Sequence, residues 1–251
     1  MKQFLNKKLL PLLPVSTGAL ALILRIWLYN RVDEKGLLPD GRFAETAIFL
    51  LMALTFALLA YIVQSIRPAR KYAHLFPAGV LNAVGCGAGA VGILTAGIFS
   101  FQGAAGTLDY LAGVLGVLGA ASLGYTAFQR LRGRRPAQLL EVVVLLFFMV
   151  YAVSRCRGWG RESQLIVYFF PLLACVGLMI HAYDLAAAAT KDGKRKLLVF
   201  ISQATLFCCT VSLNEPDWSF YLGMALWLAL DLCAMDTKPL PAVQPPEEET
   251  Q

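Results

Sequence analysis

The segment from Ala44 to Ile66 reads AETAIFLLMALTFALLAYIVQSI and contains one charged residue. Neither a helical period of about 3.6 residues nor a strand period of about 2 leaves it a polar face. As a helix, which rises about 1.5 Å per residue, it is long enough to cross a hydrocarbon core about 30 Å thick. The run from Leu139 to Val153 has the same apolar character. Both runs predict helices that face lipid or other helices on all sides.

The composition of the whole chain excludes an ordinary water-soluble globule. Of its 251 residues, 58% are hydrophobic and 15% are charged, whereas soluble domains average about 45–50% and about 25%. The net charge of +6 would suit a nucleic-acid binder, but the cations lie in short segments between apolar runs. Orientation in a membrane explains that placement better, so we expect a lipid bilayer and no nucleic acid as partner.

Eight apolar segments are long enough to span a membrane, which predicts an all-α fold, a polytopic transmembrane helix bundle. The fifth segment is short and the eighth carries Asp231, so a count of seven spans stays open. Residues 1–236 are predicted to form a single transmembrane domain, and residues 237–251 a disordered acidic tail. The predicted spans cover residues 9–29, 44–66, 75–100, 108–128, 139–153, 165–186, 197–213 and 218–235.

The distribution of Lys and Arg predicts that both termini are cytoplasmic. Loops rich in these residues resist translocation, and with the N-terminus inside, 15 of the 22 cations fall on the inner side. The bias recurs at every inner turn, so it does not depend on one loop. Three arginines, Arg155, Arg157 and Arg161, break the trend because they fall on the predicted outer side.

The first predicted outer loop carries the sequence Val32-Asp-Glu-Lys-Gly-Leu-Leu-Pro39. Gly36 and Pro39 predict a turn, and the three charged residues keep it in water. This loop resembles a segment found in uncharacterised multi-spanning membrane proteins of anaerobic, Gram-positive-type bacteria. The resemblance covers the loop and the hydropathy around it. It implies a multi-pass protein of a bacterial cytoplasmic membrane, and it brings no activity, cofactor or functional residue with it.

Glycines recur at helical spacing in the third and fourth predicted spans. Small side chains let two membrane helices approach closely, so a tight pair of these two spans is expected. The alternative is that the glycines mark a flexible or discontinuous helix that lines a cavity. The candidate packing residues are Gly85, Gly89 and Gly92 in the third span and Gly113, Gly116 and Gly124 in the fourth.

Four ionisable residues lie near the predicted inner boundary: Glu141, His181, Asp184 and Asp231. His181 and Asp184 are three residues apart and share a face of the sixth span. If the fifth, sixth and eighth spans meet, these groups could form a proton or cation site that opens to the cytoplasm. The alternative is a structural layer whose members reach water or pair with Arg130 and other loop cations.

Arg25 lies about one turn below the predicted outer boundary. An arginine at that depth needs a partner, and Glu45 and Asp109 are the carboxylates nearest to it in depth. A solute site could form near Arg25, the glycines of the third span and Asn82, a polar residue placed inside that span. The alternative for Asn82 is an interhelical hydrogen bond.

The outer arginines Arg155, Arg157 and Arg161 are candidates for capturing an anion. A guanidinium offers planar, paired donors to a carboxylate or phosphate. The alternative is that these cations meet acidic neighbours or lipid headgroups.

The sequence offers no motif for a named reaction. No Cys-x-x-Cys pair exists and the two histidines are far apart, so no metal, cofactor or catalytic residue is predicted. The favoured function is a small-solute binding or transport component, with a solute or a membrane protein as open partners. The alternatives are a sensor, scaffold or accessory protein and, less favoured, an intramembrane enzyme that uses His181 and Asp184. An outer cavity lined by Arg25 would favour solute binding. A bundle packed solidly throughout would favour the scaffold. Carboxylates that converge on His181 would favour the enzyme.

Overall fold

The computed structural model describes residues 10–30, 42–64, 66, 79–104, 106–134, 136–159, 165–189 and 194–235. The outer loop at 32–39, Arg161 and the acidic tail at 237–251 lie outside the described residues. Within the described ranges the chain is helical and contains no strand. The prediction of an all-α membrane helix bundle is therefore confirmed.

In the described ranges, eight α-helices correspond one to one with the eight predicted spans. Apolar runs form them because a helix satisfies its backbone hydrogen bonds internally, as lipid requires. A short 3₁₀ turn, Ser212–Asn214, follows α7. The helices are α1 Leu12–Tyr29, α2 Arg42–Gln64, α3 Val80–Gln102, α4 Thr107–Leu131, α5 Gln138–Trp159, α6 Leu165–Ala189, α7 Arg195–Val211 and α8 Trp218–Ala234.

Seven of these helices are long and apolar enough to cross a membrane. The short fifth segment of the sequence prediction is in fact a helix of 22 residues, which removes the doubt about its length. Helix α8 has 17 residues, or about 25 Å at 1.5 Å per residue. Helix α7 also has 17 residues, but the 3₁₀ turn Ser212–Asn214 extends it to a span of 20 residues. Helix α8 is therefore the one described helix that falls short of a full span by length, as the alternative count of seven allowed.

The helices from α3 to α8 form a ring. Each packs on the next in chain order, and α8 packs back on α3. Helices α1 and α2 lie outside this ring, against α7 and each other. Large side chains of α5 and α8 fill the interior, where Phe147, Tyr151, Phe220 and Trp227 are all fully buried. The tail-end helix α8 is therefore part of the core.

The helix directions define two ends of the bundle. Arg25, near the end of α1, bonds the carbonyl of Val211 at the end of α7, and Gln203 near the start of α7 bonds the carbonyl of Leu10. Helices α1 and α7 thus run parallel. We call the end where α1, α5 and α7 begin and where α4, α6 and α8 end the inner end, after the predicted orientation, and the opposite end the outer end.

Glycines bring two pairs of helices into backbone contact. A Cβ added to Gly116 of α4 would lie 2.7 Å from the Cα of Gly97 in α3, and a Cβ on Gly223 of α8 would lie 2.7 Å from the Cα of Gly92 in α3. Carbon atoms do not approach each other so closely without strain. Only glycine allows these approaches, so α3 is closely packed on one side by α4 and on another by α8.

The glycine faces differ in part from the prediction. Gly85 and Gly92, expected to face α4, lie against α8, and a Cβ on Gly89 would meet both Leu123 of α4 and Trp227 of α8. On α4, a Cβ on Gly113 would meet the ring of Phe101, whereas one on Gly124 would meet nothing within 4 Å. Gly124 therefore takes no part in this packing. The spacing of small residues marks close faces, but it does not say which neighbour each face receives.

The outward faces of the helices are apolar. Leu54 and Tyr61 of α2 are about 60% exposed, as is Val91 of α3, and Val117 of α4 is half exposed. A water-soluble protein seldom exposes so many large apolar side chains, whereas lipid is a favourable environment for them. The structure is thus consistent with helices that lie in a bilayer.

Candidate functional site

A group of polar side chains is buried at the inner end, where five helices of the ring meet. It includes an ion pair between Arg130 and Asp231, and the carboxylate of Glu141 interacts electrostatically with both. A histidine and an indole complete the group on the side of α6 and α7. We call it the inner polar cluster; its members are Arg130 of α4, Glu141 of α5, His181 of α6, Ser202 of α7, and Trp227 and Asp231 of α8.

The ion pair joins the ends of α4 and α8. An Nη1 hydrogen of Arg130 is donated to Oδ1 of Asp231 over 2.8 Å, and the two residues are 3% and 0% exposed. Arg130 lies in the last turn of α4, where the helix dipole favours a cation. The sequence placed Arg130 in a loop. The helix continues through it, so this cation is inside the bundle.

Glu141 stands in the first turn of α5 and is completely buried. Neither of its carboxylate oxygens has a hydrogen-bond donor among the described residues. Nearby, Oδ2 of Asp231 also has no donor within hydrogen-bond geometry among the described residues. Buried polar atoms without partners are rare and costly in folded proteins, so this pair of carboxylates marks a place where a further group can be held.

His181 joins the cluster through two contacts. Its Nδ1 lies 3.0 Å from the hydroxyl of Ser202, and its ring packs edge-on against Trp227 with centroids 5.0 Å apart. The hydroxyl of Ser202 is donated to the carbonyl of Leu198 over 2.6 Å. Because a hydroxyl has one hydrogen, Nδ1–H of His181 must be the donor to Ser202. A neutral ring then presents an unprotonated Nε2, which has no partner among the described residues.

The fourth residue predicted for this layer lies apart from the cluster. Asp184 is 5% exposed, one turn nearer the inner end of α6 than His181. It interacts electrostatically with Lys194 at the start of α7. The structure thus brings Glu141, Asp231 and His181 into one cluster and leaves Asp184 beside a boundary lysine.

Arg25 has a partner that the sequence analysis did not name. It is 0% exposed, and its guanidinium donates to Oε1 of Glu215 over 2.6 Å and to the carbonyl of Val211 over 3.0 Å. Glu215 lies in the turn between α7 and α8. Of the two expected partners, Asp109 accepts a hydrogen bond from Ser154 in α5, and Glu45 is half-buried in the first turn of α2. Arg25 therefore holds the turn before α8.

Asn82 is far from Arg25. The third helix begins at Val80 instead of residue 75, so Asn82 lies in its first turn, at the inner end. It is 1% exposed. Arg25 lies near the end of α1, at the outer end. The solute site expected between these two residues is not assembled in the structure.

The outer arginines also have protein contacts. Arg155 forms an ion pair with Asp217, to which the hydroxyl of Tyr151 also donates over 2.8 Å. Arg157 is exposed, and a Cβ on Gly106 would come within 3.6 Å of its Nη1. With Arg161 outside the described residues, no trio of guanidinium groups is assembled in the described part of the chain.

Sequence analysis missed residues that the structure makes important. Glu215 and Asp217 pair with buried or half-buried arginines, and Trp227 and Ser202 contact His181. One feature of the sequence could have pointed to Glu215 and Asp217. These carboxylates stand immediately before the last apolar run, where a buried arginine could reach them. No such signal pointed to Ser202 or Trp227.

Comparison of the chain with protein-family models, with curated proteins and with solved structures found no match.

Proposed function

We propose that this membrane protein binds or moves a small solute, and that the inner polar cluster is its binding site. The observation that carries the proposal is the unpartnered, fully buried carboxylate of Glu141. An ionisable residue inside a membrane helix is costly and is a functional candidate by default. The membrane in question is proposed to be a bacterial cytoplasmic membrane, on the resemblance of the outer loop.

The chemistry of the cluster favours a solute that donates hydrogen bonds. Four acceptor atoms have no donor among the described residues: both carboxylate oxygens of Glu141, Oδ2 of Asp231 and Nε2 of His181. On the donor side, the indole N–H of Trp227 interacts with the carboxylate of Asp231 and the thiol of Cys86. This excess of acceptors suits a small cation or a neutral solute with several N–H or O–H groups.

The outer end supports the proposal less well. Arg25 is fully buried and bonded to Glu215 and Val211, and Arg155 is paired with Asp217. These arginines already have anionic partners within the chain. In the structure they hold the segment before α8 in place. This supports proposing the solute site at the other end of the bundle.

Ligand-induced thermal stabilisation tests the proposal on the purified full-length protein in detergent. The probes are a primary ammonium compound, a guanidinium compound, the alkali cations and a matched set of carboxylates. We expect at least one cationic probe to raise the melting temperature. A probe present at about 100 times its Kd adds about 2.7 kcal/mol to the free energy of unfolding.

Glu141→Gln should lose this ligand-induced stabilisation, because the amide keeps the shape of the side chain and removes its charge. Such a loss would identify Glu141 as part of the site. Glu45→Gln is the matched control, since Glu45 is a half-buried carboxylate in the first turn of α2 and should leave the stabilisation unchanged. Stabilisation by the carboxylates alone, or stabilisation that survives in Glu141→Gln, would contradict the assignment.

A scaffold or accessory protein is the second candidate, favoured by one specific observation. Three arginines, Arg25, Arg130 and Arg155, each form an ion pair with a carboxylate before or within α8. A helix held at both ends suits a rigid contact surface as well as a solute carrier. If no probe stabilises the wild type while it purifies with a defined membrane protein in constant ratio, this candidate is preferred.

A further inference from the structure

We infer that the inner polar cluster binds one proton, on the carboxyl group of Glu141, and that Arg130 moves between Asp231 and Glu141 as this proton leaves and returns. The inference rests on the proposed function, because it names the ion to which that site is coupled. Three features of the cluster support it: its charge balance, the set of ligands that it offers, and the position of Arg130 between two carboxylates that can both bind it.

The charge balance requires a cation. Arg130 and Asp231 neutralise each other in their 2.8 Å ion pair. An ionised Glu141 beside them would leave one net negative charge among side chains that are 3% exposed or less. An uncompensated buried charge costs several kcal/mol. One proton on Glu141 makes the cluster neutral, and a carboxylic acid can then donate its O–H to a neighbouring acceptor.

The ligand set favours a proton over a metal ion. A bound metal needs several oxygen, nitrogen or sulfur ligands that converge at short, fixed distances. Among the described residues, no group of three or more His, Cys, Asp or Glu side chains is arranged to hold one. A proton needs a single basic oxygen, and Glu141 offers two.

The groups that face Glu141 come from every neighbouring helix. Helix α4 contributes Arg130 and α8 contributes Asp231, both of which interact electrostatically with its carboxylate. Helix α3 contributes the buried thiol of Cys86, which interacts with Glu141, Arg130 and Asp231. Helix α6 packs on α5 and contributes His181, whose ring lies against Trp227 and interacts electrostatically with Arg130. Of these groups, Arg130 is the cation that a newly ionised Glu141 would attract.

Competition for Arg130 gives the cluster two arrangements. With Glu141 protonated, Arg130 is bound to Asp231 and ties the end of α4 to the end of α8, as the structure shows. When the O–H bond of Glu141 breaks, its proton goes to water and its electron pair stays on the carboxylate. Arg130 keeps its charge throughout. It then bonds Glu141, and Asp231 and the inner end of α8 lose their link to α4.

The two arrangements are close enough in free energy to exchange. Burial opposes the ionised carboxylate, but the position of Glu141 in the first turn of α5 supports it, because the positive end of the helix dipole lies there. Arg130 supports it as well. Release of α8 at its inner end would couple the protonation of Glu141 to a movement of a core helix, which a proton-coupled binding site requires.

Infrared difference spectroscopy of the purified full-length protein tests the inference, with pH changed from about 5 to about 8. We expect one C=O band of a carboxylic acid in the wild type to disappear as pH rises. The same pH-dependent band should be missing from Glu141→Gln and should still be seen in Asp184→Asn. Asp184 is a matched control, because it is a second buried carboxylate at the same end of the bundle. Glu141→Asp serves if the Gln variant does not fold, and its band should shift in frequency.

Two results would overturn the inference. One is a wild-type spectrum in which no carboxylic acid band changes over this pH range. The other is a band that survives unchanged in Glu141→Gln, or in Glu141→Asp, and is lost in Asp231→Asn, which would place the proton on Asp231. The measurement needs no solute, so it is independent of the stabilisation assay. If Glu141 titrates but no probe stabilises the protein, the proton site is retained and solute binding is rejected. If a probe stabilises the protein but Glu141 does not titrate, solute binding is retained and the proton site is rejected.

Discussion

At the scale of single residues, two buried arginines and one half-buried arginine form ion pairs with carboxylates. Arg25, Arg130 and Arg155 each bond a carboxylate before or within α8: Glu215, Asp231 and Asp217. An isolated charge in a membrane interior is expensive, whereas a hydrogen-bonded pair is tolerated. Removing one partner of such a pair is therefore expected to cost more than removing both.

We expect Arg130→Met to destabilise the protein, because it leaves Asp231 buried without its cation. Breaking a buried pair in this way costs about 3–5 kcal/mol. The double variant Arg130→Met with Asp231→Leu should recover most of that loss. Thermal melting of the purified protein in detergent measures both. Arg132→Ala, at an exposed cation two residues away, should melt like the wild type. Equal melting temperatures for the single variant and the wild type would argue against a structural ion pair.

At the scale of helices, α3 packs closely on two of its neighbours. Gly97 meets Gly116 of α4, and Gly92 meets Gly223 of α8. Membrane helices associate through such close contacts, because lipid provides no hydrophobic force to drive them together. The positions of α4 and α8, and with them Arg130, Trp227 and Asp231 in the inner polar cluster, depend on these glycines.

The contrast between two glycines of α4 tests this packing. In Gly116→Ala the added methyl would lie 2.7 Å from the Cα of Gly97, so we expect a loss of about 1–3 kcal/mol from overpacking. In Gly124→Ala the methyl meets nothing within 4 Å, and the better helix propensity of Ala should leave stability unchanged or raise it by up to about 1 kcal/mol. The melting temperatures of the two variants measure this difference in stability. Equal values would mean that α3 and α4 are not in contact at Gly116.

At the scale of the whole molecule, the described helices form a ring from α3 to α8 with α1 and α2 outside it. The buried charged side chains among the described residues lie toward its two ends, and the outward faces of the helices are apolar. The direction of this bundle in the membrane rests on the distribution of Lys and Arg along the chain. It is a prediction that a single cysteine can test.

Cys156, near the end of α5, is the one exposed residue among the six cysteines, all of which the structure describes; four are buried and Cys233 is half-buried. We expect a membrane-impermeant maleimide to label it in intact cells, because α5 ends on the predicted outer side. Labelling should disappear in Cys156→Ser. Protection in intact cells followed by reaction after lysis would reverse the predicted orientation.

Much of the candidate site was foreseeable residue by residue. Glu141, His181 and Asp231 stood out because ionisable residues are rare in apolar runs. Their depth placed them at one end of the bundle. Arg130 was foreseen as a partner for such residues, but as a loop cation. The helix boundary at Leu131 brings it into the interior, and helix ends are the least certain feature of a pattern-based prediction.

The sequence by itself determined that the chain forms membrane helices, how many apolar segments there are and nearly where they lie, because these follow from the length of each apolar run. Only the tertiary structure decided which side chains meet. Arg25 and Glu215 are 190 positions apart, and Gly92 faces α8 where α4 was expected. The face that a helix turns to each neighbour depends on how all the helices pack together, and an apolar run does not encode that choice locally.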